Sequence, residues 1–155
     1  MFEIVPLVVA VLVVKLVFKD KWFVAKSPFL VGKTVPLTNV DCMEGHEFEE
    51  FCAYLLRMNG FSKVTKTKGS GDQGVDILAE KDGVSYAIQC KCYSSNLGNK
   101  PIQEVYAGKS IFHCQVAAVL TNSFFTSGGI EAAKATGVLL WDRIKLQEFM
   151  ERAEH

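Results

Sequence analysis

The chain has 155 residues, which is enough for one well-buried domain and too few for two. Its 17 basic side chains balance 17 acidic ones, but residues 1–40 carry five lysines against two acids, whereas residues 41–155 carry twelve basic against fifteen acidic residues. This acidic excess argues against a basic surface for strong general nucleic-acid binding. It argues only weakly against a nuclease, because a nuclease site is itself acidic and a divalent metal offsets part of that charge.

Residues 1–23 are predominantly apolar. Residues 4–18 carry a single charge, Lys15, and the stretch 2–23 reaches the length of about 20 residues that a membrane-spanning helix needs, if Lys15 extends toward the polar end. Lysines follow the stretch and favour a cytoplasmic location for the rest of the chain. We therefore expect a single-pass anchor in the inner or cell membrane. A surface-lying or soluble helix is the main alternative, and a cleaved signal peptide fits less well because Glu3 opens the segment.

Residues 24–43 contain prolines and a glycine with little periodicity, so we expect a linker that leads into a domain over residues 44–155. The first helix of that domain is predicted over Gly45–Gly60, where apolar side chains recur at helical spacing. Its early turns carry the glutamates Glu47, Glu49 and Glu50. Acidic side chains are favoured there by the helix dipole, so their position alone does not indicate a function.

Residues 62–68 alternate as in a strand and contain three lysines. Lysines commonly protect an exposed sheet edge, and they also supply sequence-independent contacts to phosphates. Both interpretations stay open, and phosphate contact is slightly favoured for Lys66 and Lys68.

A β-hairpin is predicted next. Two runs rich in β-branched and aromatic residues, Val75–Glu80 and Val84–Tyr93, flank Asp82-Gly83, a dipeptide typical of a two-residue hairpin turn. In that register Ile77 faces Ile88, Asp76 faces Gln89, and Lys91 points to the same side as Gln89. The other side is predicted to be apolar and carries Val75, Ile77, Ala79, Val84, Tyr86, Ile88, Cys90 and Cys92. The hairpin thus presents a carboxylate, an amide and an ammonium together, although a solvated face would also be polar.

The second half of the chain alternates helices and strands. Pro101 opens a helix that contains Gln103, and the apolar run Val116–Leu120 predicts a buried strand that ends near Asn122. A helix over 127–136, a strand over 138–141 and a terminal helix over 143–152 follow. The order α-β-β-β-α-β-α-β-α predicts an α/β, three-layer domain with a central mixed β-sheet flanked by helices. Asn122 either contacts a ligand at the strand end or caps the turn, and Gln103 either orients a ligand or lies on the surface.

The chain resembles the Mrr-type restriction endonuclease domain, a branch of the PD-(D/E)xK nuclease superfamily. The most specific match is GDQGVD followed by QCK, and the supporting stretches, in the order of the family, are GHEFEEFCAYLLRMNGF, IQEVYAG, VLTNSFFT and GVLLWD. In this branch a glutamine replaces the Asp or Glu of most of the superfamily. The resemblance implies a restriction-endonuclease-like fold, with Asp76 as metal ligand, Gln89 as the second site position, Lys91 as the catalytic lysine and Glu49 as the helix carboxylate of the site.

The resemblance also implies a function: a metal-dependent endonuclease that hydrolyses DNA phosphodiester bonds, with Mg²⁺ or Mn²⁺ held by Asp76 and Glu49. Lys91 would orient the nucleophile or offset charge on the phosphate. The nucleic acid would be contacted by Lys66, Lys68, Gln103 and Asn122. We expect DNA as partner, a homodimer where both strands are cut, and membrane contact through residues 2–23. Two alternatives stay open: a membrane-tethered nucleic-acid-binding or sensor module with a degenerate or weak nuclease site, and an enzyme that acts on RNA or a small nucleotide.

Overall fold

The computed structural model describes residues 35–68 and 73–154. The helices are α1 (Leu37–Val40), α2 (Gly45–Met58), α3 (Lys100–Ile111), α4 (Ser127–Thr136) and α5 (Arg143–Ala153). The strands are β1 (Ser62–Lys66), β2 (Ile77–Lys81), β3 (Val84–Lys91), β4 (Val116–Thr121) and β5 (Leu139–Trp141). From α2 onward the elements follow in the predicted order, and α1 adds one turn of helix within the segment expected to be irregular.

The five strands form one sheet in the order β1-β2-β3-β4-β5. β1, β2 and β3 pair antiparallel, whereas β3, β4 and β5 pair parallel because helices α3 and α4 carry the chain back between them. Helix α2 lies against β1 and β3 and contacts α5, and helix α3 lies against β3 and β4 and contacts α4. The predicted α/β, three-layer fold with a central mixed sheet is therefore confirmed.

The β2–β3 hairpin has the predicted register, with Ile77 opposite Ile88 and Lys81 opposite Val84. Both turn residues, Asp82 and Gly83, have positive φ (52° and 78°), as the predicted type of turn requires. This short turn fixes the register of the whole hairpin, because each paired residue is counted from it.

The regular pairing ends at Asp76. The Asp76 N–H donates to the Ile88 carbonyl (2.9 Å), although Ile88 is already paired with Ile77. Two consecutive residues thus face one partner, as in a β-bulge, which bends the strand and re-aims its side chains. Val75 consequently belongs to the same buried cluster as Ala87 and as Ile102 and Val105 of helix α3. The prediction that Val75 shares the side of Ile77 is wrong for this reason.

Both sides of the hairpin are covered. Ile77 and Ile88 are fully buried on one side, and Ala87 and Gln89 are buried on the other, with Gln89 only 1% exposed. The polar side that sequence alternation suggests is therefore closed over by helix α3 rather than solvated.

The segment before α2 is attached to the domain through Asp41. Both carboxylate oxygens of Asp41 accept hydrogen bonds from the Arg143 guanidinium, at 2.6 and 2.8 Å, and one of them also accepts from Asn122 Nδ2 at 2.9 Å. Val40 beside it is fully buried. These contacts connect α1 to the end of β4 and the start of α5.

The predicted membrane localisation needs correction. A spanning helix needs about 20 predominantly apolar residues. Within residues 35–68 and 73–154, no helix has the length and apolar character to cross a bilayer, and the longest one there, α2, has 14 residues. The predicted localisation, single-pass in the inner or cell membrane with a cytoplasmic domain, is contradicted by this finding. The apolar segment 1–23, which suggested it, lies outside the described residues.

Candidate active site

A pocket of about 410 Å³ opens where the β2–β3 hairpin meets helix α3. Its lining residues are Gln73, Gly74, Asp76, Gln89, Lys91, Glu104 and Ala107. Three of the four residues predicted to be catalytic, Asp76, Gln89 and Lys91, thus line one pocket. The other four lining residues come from the turn before Asp76 and from one face of α3.

The bulge positions Asp76. Its Oδ2 accepts a hydrogen bond from the Cys90 N–H at 2.7 Å, and its main-chain carbonyl accepts from the Thr67 N–H at 3.0 Å. Asp76 is therefore fixed between β3 and the residues after β1 while it is only 7% exposed. A carboxylate that is held by a backbone N–H keeps a defined direction, which a metal ligand needs.

Gln89 lies at the buried end of the pocket. Its Nε2 donates to Glu104 Oε2 at 3.0 Å. Its Oε1 is buried and has no hydrogen-bond partner among the described residues. A buried acceptor without a partner costs about 1–3 kcal/mol, so this oxygen is available for a cation or a water molecule.

Lys91 completes the set at the end of β3, where it is opposite Thr121 of β4 and partly buried. Among the described residues no carboxylate oxygen lies within 4.0 Å of its ammonium, in contrast to Lys63 and Lys66, which form ion pairs. The positive charge of Lys91 is therefore available to an anionic ligand in the pocket.

Glu104 is a site feature that sequence reasoning did not identify, whereas the glycine-rich turn at Gly74 is part of the GDQGVD match. Gln73 and Gly74 have positive φ (54° and 74°), and a Cβ on Gly74 would lie 2.6 Å from Glu104 Cβ. A Cβ on Gly108, one turn further along α3, would lie 2.5 Å from the Gln73 carbonyl oxygen. A glycine inside a helix costs about 1 kcal/mol relative to alanine and often has a packing reason. Gly108 in IQEVYAG is thus the sequence signal that something approaches this face of α3.

Glu49 lies apart from this pocket. Its Oε2 is 3.3 Å from Lys66 Nζ and 3.8 Å from His46 Nδ1, and Glu49 does not line the pocket. Partial burial lowers the pKa of Lys66, but hydrogen bonds to Glu50 and Glu49 outweigh it and raise that pKa. Lys66 is therefore a positively charged partner of helix α2.

The other residues predicted to contact nucleic acid occupy different environments. Lys68 and Gln103 are exposed. Asn122 is 3% exposed; its Oδ1 accepts from the Tyr93 N–H at 2.8 Å, and its Nδ2 donates to Asp41 at 2.9 Å. Both ends of the Asn122 amide are thus used in hydrogen bonds within the domain.

The donor atoms in the pocket suit a hard cation. The Asp76 and Glu104 carboxylates and the unpartnered Gln89 Oε1 are oxygen donors, which Mg²⁺ and Mn²⁺ prefer. Within the described part of the chain no cluster of three or more His, Cys, Asp or Glu side chains is close enough to hold a metal. A metal here would therefore rely on an amide oxygen and water beside one or two carboxylates, which is adequate for Mg²⁺.

Two solved structures share this fold. A protein of unknown function, AF1548, matches with a TM-score of 0.52 and 25% identity over 61% of this chain and 55% of that one. The DNA modification-dependent restriction endonuclease AspBHI matches with a TM-score of 0.56 and 18% identity over 83% of this chain and 40% of that one. This chain thus covers about half or less of each of these proteins. No curated protein matches it.

A family model described as a restriction endonuclease, Mrr_cat, matches residues 40–150. The match spans well over half of the chain and includes both sides of the pocket, from Asp76 to Glu104. Membership of such a family suggests a nuclease. The chain belongs to the Mrr_cat restriction endonuclease family.

Proposed function

We propose that the chain is a metal-dependent endonuclease that hydrolyses DNA phosphodiester bonds in the pocket between the hairpin and α3. The observation that carries this proposal is the convergence of Asp76, Gln89 and Lys91 on that pocket, where the buried Gln89 Oε1 has no hydrogen-bond partner within the described parts of the chain. A carboxylate, an amide oxygen and an ammonium offer sites for a cation and for a phosphate in one place.

Asp76 and Gln89 Oε1 are the groups that would hold Mg²⁺ or Mn²⁺. When bound, such an ion polarises a phosphoryl oxygen and makes a bound water more acidic. Asp76 contributes the charge, and its hydrogen bond from the Cys90 N–H keeps its carboxylate in place. Glu49 pairs with Lys66 and does not line the pocket. We therefore propose that Glu49 contacts the metal only through water.

Lys91 would stabilise the charge that develops on the scissile phosphate. A preorganised cation in a partly buried site is worth more than one in water, because its solvent does not have to reorganise during the reaction. Gln89 cannot serve as a carboxylate base, so the proposed proton acceptor is solvent. Lys91 is then the principal group of the chain that acts on the phosphate.

DNA would be held by cations around the pocket. Thr67 pairs with Asp76, and Lys68 follows it as an exposed lysine, so Lys68 is the stronger candidate for a phosphate contact. Lys66 is a weaker candidate because it forms ion pairs, and Asn122 is weaker because its amide is hydrogen-bonded within the domain. Gln103 is weaker because it does not line the pocket. One pocket cuts one strand, so a double-strand break calls for two copies of the chain.

A nucleic-acid-binding module with a weak nuclease site is the second candidate. It is favoured by the amide at position 89 and by the lack of a three-ligand metal cluster among the described residues. Such a module would bind DNA with little dependence on Mg²⁺ and would lose little when the ammonium of Lys91 is removed.

The experiment that separates the two candidates uses the full chain, with supercoiled plasmid and single-stranded RNA as substrates, with and without Mg²⁺. The endonuclease predicts metal-dependent nicking or linearisation of the plasmid, a loss of at least about 100-fold in Lys91→Ala, and no loss in Lys134→Ala, which removes an exposed lysine on α4. Plasmid binding without cutting by the folded wild-type chain would favour the binding module, and cutting of RNA alone would reassign the substrate.

A further inference from the structure

Glu104 carries an inference about the site that the resemblance does not supply. Its Oε2 accepts from Gln89 Nε2 at 3.0 Å across the gap between α3 and β3. We propose that Glu104 is a positioning residue: it fixes the orientation of the Gln89 amide so that Oε1, rather than the NH₂ group, is presented to a cation. This inference rests on the proposed function and adds a residue to it.

The hydrogen-bonding chemistry of the Glu104 carboxylate and the Gln89 amide favours one orientation of the amide. An ionised carboxylate only accepts hydrogen bonds, whereas an amide has a donor end and an acceptor end. Glu104 therefore attracts the NH₂ end of Gln89, and the reverse orientation would set the amide oxygen against the carboxylate. The oxygen end is then left buried and without a hydrogen-bond partner among residues 35–68 and 73–154. An electronegative atom without a donor is suited to a cation.

The surroundings keep Glu104 in place. Gly74 approaches so closely that a Cβ there would lie 2.6 Å from Glu104 Cβ and 3.0 Å from its main-chain carbon. The turn that contains Gly74 leads directly to Asp76. Lys100 is 84% exposed and 3.9 Å from Glu104 Oε1, so it adds little to this restraint. The orientation of Gln89 and the position of Asp76 therefore depend on the same face of α3.

A role of Glu104 in positioning Gln89 accounts for these contacts better than direct coordination of the cation by Glu104. Glu104 Oε2 is engaged by Gln89, while the atom of this pair that lacks a partner belongs to Gln89. Groups that orient a metal ligand through a hydrogen bond contribute about 10–100-fold to metal affinity or activity. We expect a contribution in that range from Glu104.

The test is a double-mutant cycle with Glu104→Ala and Gln89→Met, in which methionine keeps the length of the side chain and removes the amide. Mn²⁺ affinity is measured by titration calorimetry, single-turnover plasmid cleavage by gel, and folding by thermal unfolding. Each single variant should lose about 10–100-fold in Mn²⁺ affinity and in cleavage rate. The double variant should lose no more affinity or rate than the single variant with the larger loss, because Glu104 acts through Gln89. Glu104→Gln, whose amide oxygen still accepts from Gln89, should recover part of the loss.

The matched control is Glu131→Ala, an exposed helical glutamate on α4 outside the pocket lining, which should change neither quantity. Multiplicative losses in the cycle would overturn the inference, because Glu104 would then act directly. Wild-type affinity in Glu104→Ala, or the absence of Mn²⁺ binding in every variant including wild type, would also overturn it. If wild type binds Mn²⁺ but cuts no DNA, the proposed function fails, and the affinity cycle alone decides the role of Glu104.

Discussion

At the scale of single residues, the pair Gln89–Glu104 is the most sensitive part of the pocket, because one buried amide contacts one carboxylate at 3.0 Å. The position of Gln89 follows from the sequence, since strand alternation and the Asp82-Gly83 turn set the hairpin register. The position of Glu104 does not follow, because its contact joins a strand to a helix 15 residues away. Periodicity within one element carries no information about which helix face meets which strand.

The first prediction concerns Gln89→Glu, which replaces the buried amide with a carboxylate of the same length. Its new carboxylate would face the Glu104 carboxylate in a buried position. We expect Gln89→Glu to lower the free energy of unfolding at pH 7 by about 1–3 kcal/mol, because a hydrogen bond is replaced by two opposed acceptors. Urea unfolding measures this change.

The matched compensating variant is Gln89→Glu combined with Glu104→Gln, which reverses the direction of the hydrogen bond. It should recover most of the lost free energy of unfolding. A single Gln89→Glu variant that is as stable as wild type would show that the contact between the two side chains is not maintained in solution.

At the scale of elements, the structure depends on how the turn before Asp76 meets helix α3. The sequence predicts the helices and strands here because their apolar periods are clear and their turns contain Gly or Pro. It does not predict the β-bulge, because a bulge adds one residue to a strand without changing composition. Simple alternation therefore predicts the wrong side of the sheet for Val75, although Asp76, Gln89 and Lys91 still converge.

The second prediction tests this junction with Gly108→Ala. The added Cβ would lie 2.5 Å from the Gln73 carbonyl oxygen and from Val75 Cγ2, so the turn or the helix must move. We expect a loss of about 1–3 kcal/mol in the free energy of unfolding, as for overpacked sites, together with a lower cleavage rate because Asp76 follows the displaced turn. Urea unfolding and plasmid cleavage measure the two effects.

Gly45→Ala is the matched control, since Gly45 also lies in a helix but has open space around its Cα. It should leave the free energy of unfolding unchanged or raise it by up to about 1 kcal/mol. Equal effects of the two substitutions would mean that the turn does not rest on Gly108.

The third prediction concerns the attachment of α1 through Asp41 and Arg143. Hydrogen bonds from Arg143 hold the pKa of Asp41 below its usual range, with a smaller contribution from Asn122. Because the pKa is lowered in the folded state, the contact stabilises the fold above the ordinary value of about 3.9, and this stabilisation is lost as the pH falls through the lowered pKa. Asp41→Asn should therefore be less stable than wild type at pH 7, and the difference should shrink below about pH 4.

Chemical unfolding of both proteins between pH 7 and pH 2.5 measures this difference. Asp142→Asn, which changes the N-cap residue of α5, serves as a second acidic comparison. A difference between wild type and Asp41→Asn that is constant over the whole pH range would show that ionisation of Asp41 does not contribute.

At the scale of the whole molecule, the net charge of the domain and its family favour different functions. The acidic excess of residues 41–155 is unusual for a nucleic-acid-binding surface, whereas membership of a restriction endonuclease family suggests a nuclease. Fold class could be predicted from the sequence because the alternation of helices and strands has few topological solutions. Membrane localisation could not, since hydropathy of residues 1–23 was its only basis.

The fourth prediction follows from the few cations near the pocket. The logarithm of DNA affinity should fall with the logarithm of salt concentration with a shallow slope, of about 0.9 per phosphate contact. Lys68→Ala should reduce that slope by about 1, and Lys66→Ala by less, because Glu49 and Glu50 already neutralise Lys66. Fluorescence anisotropy with a labelled duplex measures the slopes. A larger effect of Lys66→Ala would reverse the assignment of the phosphate contact.

A Mg²⁺ titration of plasmid cleavage by the full wild-type chain and by Asp76→Asn tests whether Asp76 supports metal-dependent cleavage. Asparagine keeps the shape of the side chain and can still accept from the Cys90 N–H, so the fold should persist, and circular dichroism and thermal unfolding establish this. We expect Mg²⁺-dependent cutting by wild type and a loss of at least about 100-fold in folded Asp76→Asn. Cutting by folded Asp76→Asn at the wild-type rate and with the same Mg²⁺ dependence would contradict this expectation.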